Sequence, residues 1–147
     1  MSIEQVVSDN KILAIIVRRG YSESGIHFLT PAEFSQQLGY MRHPVGKVIQ
    51  PHVHKPVQRA VTYTQEVLFI RKGKLRVDFY SAAQKYLESR VLEAGDVILL
   101  ASAGHGFEVL EELEMFEVKQ GPYAEFEDKE RFNGIASGDA VFRKAKG

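Results

Sequence analysis

The apolar residues of this chain come in short runs broken by turn residues about every ten positions, which leaves little room for long helices and points to many short strands. The runs cover 11–18, 26–29, 45–50, 61–71, 74–80, 87–92, 96–100, 106–110 and 114–119, and many are rich in Val, Ile, Phe and Tyr. Leu75, Val77 and Phe79 alternate with Arg76, Asp78 and Tyr80, the period-two pattern of a half-buried strand. Gly73, the stretch Glu93-Ala94-Gly95-Asp96 and the pair Glu111-Glu112 supply breaks. The pattern predicts an all-β domain, a sandwich or small barrel.

One helix is marked within it. Thr30-Pro31-Ala32-Glu33 offers an N-cap, a proline at the first helical position and a glutamate three residues after the cap, and Gly39 offers a stop. A short helix over 31–38 follows. A second short charged helix is expected over 125–131. From Gly134 onward the residues are small and polar and end in Arg143-Lys144-Ala145-Lys146, the pattern of a loose tail. No repeat or linker divides the chain. The expectation is one domain over 1–147, with a core at about 44–120, a strand and helix within 1–43 and an extension over 121–147.

Composition narrows the chemistry. The 147 residues include no cysteine, which excludes a disulfide framework, a thiolate metal site and a cysteine nucleophile. Any metal must be held by nitrogen and oxygen. Nineteen Lys and Arg balance nineteen Asp and Glu, without the basic excess of a dedicated nucleic-acid binder. Met1 to Asn10 lack the basic start of a signal peptide, and the run from Ile12 to Val17 is too short to cross a bilayer. A cytoplasmic protein with no membrane or nucleic-acid partner is expected.

The most informative stretch is Gly46-Lys47-Val48-Ile49-Gln50-Pro51-His52-Val53-His54. In a strand, His52 and His54 project from one face and can reach one ion. Glu66 heads an apolar run, where a carboxylate is costly to bury unless paired or metal-bound; pairing with Arg71 or Arg76 is the plain alternative. His105 lies between Gly104 and Gly106, where it could also simply cap a loop. His27 and His43 have no such spacing.

These residues resemble the cupin superfamily. Gly46, five residues and His52-Val53-His54, then Glu66, six residues and Gly73, are similar to its first motif; Gly95 to Leu100 followed by His105 resembles its second. The spacer from His54 to Glu66 is longer than the family's usual few residues, and Ala101 and Ala103 stand where the second motif has Pro and Gly. The resemblance covers about 44–120, and the stretches 66–80 and 104–123 are similar to a group of small bacterial cupins linked with surface-polysaccharide or sugar metabolism. It implies a double-stranded β-helix, or jelly roll. It also implies one divalent transition metal (Fe, Mn, Ni, Zn or Cu) on His52, His54, Glu66 and His105, and a homodimer. Edge strands need covering, and the strand at 11–18 could supply the cover.

The implied reactions are dioxygenation, sugar isomerisation or epimerisation, and decarboxylation; non-catalytic ligand binding and metal-independent isomerisation by His and Tyr remain open beside them. Residues 34–65 hold no Asp or Glu but carry Arg42, Lys47, Lys55 and Arg59. A small anionic or sugar-derived ligand fits that charge, with Arg42 and Arg59 as its grips; a solvated loop is the plain alternative. Glu117 and Lys119 share one side of the last strand and are candidates for an acid–base pair, or else an ordinary surface ion pair. Tyr63 is a further catalytic candidate, and Tyr123 could donate a hydrogen bond to substrate.

Overall fold

The structure, a computed structural model, describes residues 3–123 and 128–143. The chain opens with β1 (Ile3–Ser8), which turns at Asp9-Asn10 into the antiparallel β2 (Lys11–Val17). Both turn residues have positive φ (52° and 60°), the geometry of a tight hairpin that Asp and Asn tolerate. After β3 (Gly25–Phe28) and β4 (Gly39–Arg42), which form a separate hairpin, the chain enters β5 (Glu66–Tyr80), the longest inner strand. It continues through β6 (Tyr86–Glu93), β7 (Val97–Leu100) and β8 (Gly104–Lys119).

The main sheet runs β1-β2-β7-β5-β6, and β8 lies along the other edge of β5 for nearly its whole length. It curls into half a barrel. Val6, Leu13, Ile16, Leu68, Leu75 and Ile98 are almost fully buried in its core. Leu68 and Ile70 are even-numbered, yet they share that core with Leu75, Val77 and Phe79. The strand changes parity because its pairing with β8 shifts between Ile70 and Leu75, around Gly73 at φ +91°. The bulge keeps one apolar face pointing inward on both halves of a strand that would otherwise turn its second half outward.

The opposite face of β5 is also covered. Arg76 Nε and Nη2 donate to Asp78 Oδ1 and Oδ2 at 2.8 and 3.0 Å, and Ser89 Oγ donates to Asp78 Oδ1 at 2.5 Å. The expected loose tail is ordered over 134–143. Ser89 N donates to Val141 O (2.7 Å), Ile135 N to Tyr80 OH (3.0 Å) and Arg76 Nη1 to Ser137 O (3.1 Å). This covering explains why Arg76, Asp78 and Tyr80, the polar half of the alternation, are buried. Lys144, Ala145 and Lys146 lie outside the described residues.

Several expectations are overturned. There is no helix over 31–38. The segment is a compact loop closed by Leu29 N donating to Leu38 O (2.8 Å), and Phe34 and Leu38 pack against Ile15, Leu99 and Ala101. Gln37 Nε2 donates to the carbonyls of Pro31 and Phe34, and Thr30 Oγ1 accepts from Leu38 N, so side chains satisfy groups that a helix ladder would have used. Of the charged helix expected over 125–131, residues 125–127 lie outside the described residues and 128–131 are not helical. The runs 66–71 and 74–80 are one strand, as are 106–110 and 114–119, because Gly73 and Glu111-Glu112 form bulges rather than breaks. Residues 45–50 and 61–65 form no strand. The strand at 11–17 has β1 on one side and β7 on the other, so it has no edge to lend to a partner. Among the described residues no helix is long and apolar enough to cross a membrane.

Candidate functional site

The register of β5 with β8 assembles the site. Leu68 pairs with Glu117, Glu66 with Lys119 and Phe79 with His105. Strand pleating therefore sets Glu66, Glu117 and His105 on the inner face of the half-barrel, and the curl of the sheet brings His105, paired at the far end of β5, back to Glu66. His105 Nε2 lies 3.9 Å from Glu66 Oε2, and the Glu117 carboxyl acts on that of Glu66 from the same cleft. The three line a cleft of about 780 Å³ that also takes in Tyr80, Phe107, Lys129, Arg131 and Phe132. The cleft passes round the start of β8 to Arg76, Asp78 and Glu108, where Arg76 Nη1 is 2.5 Å from Glu108 Oε2.

Electrostatics distinguish these groups. Burial, then the hydrogen bond and negative charge of Glu117, lift the Glu66 carboxyl from its ordinary 4.5 to about 7, against the opposing charges of Lys129 and Lys119. Burial first, and Lys129 second, push the His105 imidazole below its ordinary 6.5, although Glu117 pulls the other way. Near neutral pH the site holds a neutral imidazole facing a Glu66 carboxyl that changes between its acid and base forms at about 7.

A dependence of stability on pH follows. The native state holds the Glu66 proton more tightly than the unfolded chain, so the contribution of this group is full below about pH 4.5. It declines as pH rises and is lost once pH passes the native value of about 7. Glu66→Gln removes that slope. In urea denaturation it is expected to match the wild type near pH 4 to within about 1 kcal/mol and to exceed it by roughly 2 kcal/mol near pH 8.

The other candidates are placed as follows. Glu66 does not pair with Arg71 or Arg76: Arg76 pairs with Asp78 and Glu108, and Arg71 lies over the Phe116 ring at 5.8 Å. Glu117 faces the cleft beside Glu66, while Phe116 and Val118 are exposed. His52 and His54 sit on a stretch, residues 44–64, that is exposed throughout and forms no strand. Their rings are 5.2 Å apart, His52 Nδ1 bonds to Gln50 O, and neither lines the cleft. Arg59 is on the same stretch, Arg42 donates to Ser22 Oγ (2.7 Å), and Tyr123 is exposed. Tyr63 lines a different cavity of about 710 Å³, with Phe34, Gln65 and Ala101.

The four residues of the expected metal set are thus split, with Glu66 and His105 together and the two arm histidines apart. Among the described residues no three His, Asp or Glu side chains converge as a metal group. As placed here, the four residues do not form one donor set within the chain. Lys129, Arg131 and Phe132, which line the cleft, were not singled out by the sequence, because they reach the site from a stretch with no periodicity. Arg76 and Asp78 carried a usable signal: opposite charges two apart on a strand share a face and can pair there. In comparisons with protein-family models, curated proteins and solved structures, nothing matches this chain.

Proposed function

We propose that the Glu66–Glu117–His105 cleft binds a small polar, carbonyl-bearing metabolite of sugar type and moves protons on it, as an isomerase or epimerase does. The observation that carries this reading is His105 at 3.9 Å from Glu66, with Glu117 lining the same cleft. A carboxyl pair with one proton is a base and an acid at once. The carboxylate takes the proton from the carbon beside the carbonyl, and the carboxylic acid protonates the carbonyl oxygen, leaving an enediol. The reverse transfer at the neighbouring carbon, or on the other face, completes an isomerisation or an epimerisation. Neutral His105 can pass a proton between the two oxygens, and Lys129 and Arg131 supply charge for an anionic group on the ligand.

The jelly-roll reading of the sequence goes with this proposal: the half-barrel is the open part of such a barrel, with residues 43–65 as the missing wall. The metal reading is the alternative, favoured by the neutral imidazole of His105 beside a carboxyl group. It needs His52 and His54 to come to the cleft from the arm, and metal analysis of purified protein tests it.

The test of the main reading is solvent exchange. Purified, chelator-treated protein is incubated in heavy water with a panel of sugar phosphates and nucleotide sugars, and loss of carbon-bound proton signals is followed by NMR. Exchange next to the carbonyl of at least one compound is the expected result. Binding without exchange across the panel would instead identify a ligand-binding module and overturn the catalytic reading.

A further inference from the structure

The stretch 44–64 is the least explained part of the molecule. Every residue in it is exposed, including Val45 (106%), Val48 (77%), Val53 (87%) and Ile49 (57%). Its composition is that of a strand between prolines: Val45-Gly46-Lys47-Val48-Ile49-Gln50 lies between Pro44 and Pro51, which limits it to an edge position.

An edge of the right kind exists. β8 pairs with β5 on one side, and among the described residues no strand pairs with its other side. The backbone groups of this sixteen-residue strand that point away from β5 form a long exposed edge of the kind that proteins cover. Phe107 and Val109, which pair with the core residues Val77 and Leu75, are themselves exposed on the unclosed inner face. Charge is complementary. The arm has Lys47, Lys55 and Arg59 and no acid, whereas β8 carries Glu114 and Glu117 besides Glu108, Glu111 and Glu112, which pair with Arg76, Lys74 and Lys72 of β5.

We propose that two copies of this chain exchange arms, the 45–50 stretch of each adding as an edge strand to β8 of the other. Residues 45–50 are exposed, so their apolar side chains gain burial by packing on another surface. A twofold axis satisfies both arms and both β8 edges at once. The partner's arm then walls the cleft, because β8 begins at the cleft with Gly104 and His105. The cleft reading is independent of this exchange, since it rests on side chains within one chain.

The absence of native cysteine makes the test clean. Val48→Cys and Val109→Cys, both at exposed positions, are made singly, one of them in an affinity-tagged chain, and together in one chain. The full-length proteins are sized by light scattering and treated with a flexible bis-maleimide. The expected result is a two-chain particle, a covalent tagged–untagged product from the mixed single variants with residue 48 joined to residue 109, and a covalent dimer from the double variant. A one-chain mass by light scattering overturns the proposal. A double variant whose 48–109 link lies within a single chain also overturns it, because the arm then folds onto its own β8. A dimer in which 48 and 109 never join is the third contrary result.

Discussion

Gly73→Ala is expected to destabilise the protein by about 3–4 kcal/mol, a large part of the stability of a domain of this size. Two effects combine there. Gly73 has φ +91°, where an L side chain is strained by about 1 kcal/mol or more. An added Cβ would also meet the Glu112 carbonyl oxygen at 2.0 Å and its carbon at 2.8 Å, backbone atoms that cannot move without opening the β5–β8 pairing. Gly25 separates the terms. It has the same φ of +91° but nothing within 4 Å of an added Cβ, so Gly25→Ala should cost only about 1 kcal/mol. Urea denaturation of both variants measures the difference. Equal losses would mean that the close approach of β8 to the bulge contributes nothing.

The bulge matters beyond stability. It sets the parity that keeps Leu68 and Leu75 on one face, and with it the register that brings Glu117 opposite Leu68 and His105 opposite Phe79. A Gly73 variant that stays folded but loses ligand binding would report a shifted β8.

The second large effect concerns Glu66. In the proton-transfer reading, Glu66→Gln keeps the shape of the side chain but removes its ability to accept a proton. Exchange of the responsive substrate should fall by about 10²–10⁴-fold. Ligand affinity should change much less, because an amide still fills the place and hydrogen-bonds. The same variant is more stable than the wild type near pH 8, so lost activity cannot be put down to unfolding. Undiminished exchange in Glu66→Gln would remove Glu66 from the chemistry. A comparable fall in both exchange and affinity would make it a binding group.

Much of this architecture was legible in the sequence. The alternation at 74–80 and the apolar runs at 11–18, 87–92 and 96–100 correspond to β5, β2, β6 and β7. The strand β1 escaped because Ile3 to Ser8 is half polar with no strict alternation and its turn, Asp9-Asn10, lacks glycine, although both residues tolerate positive φ. The marked helix at 31–38 failed where tertiary contacts outweighed local signals. Phe34 and Leu38 reach the sheet from a loop, and Gln37 takes the carbonyls that a helix would have paired. Merging 106–110 with 114–119 required a bulge at Glu111-Glu112, and two adjacent acids carry no signal that separates a bulge from a turn.

The site was legible in part, and for a physical reason. Glu66 and His105 stood out as polar residues at the ends of apolar strands, and the structure holds them 3.9 Å apart. Glu117 was a candidate on one of two faces of its strand, and the β5–β8 register sets it on the cleft side. His52 and His54 depend on a segment whose strand would need a second edge, which no reading of local pattern provides. Burial of Arg76 and Asp78 depends on residues 134–141 folding back over them, a long-range contact invisible in the alternation itself.

The proposed chemistry needs a Glu66 carboxyl that still holds its proton near neutral pH beside Glu117. Carbon NMR titration of the labelled Glu66 carboxyl measures it directly. A midpoint at about 7 in the wild type is expected, lowered toward the ordinary 4.5 when Glu117→Gln removes the neighbouring charge. A wild-type midpoint near 4.5, unmoved by Glu117→Gln, would contradict the account.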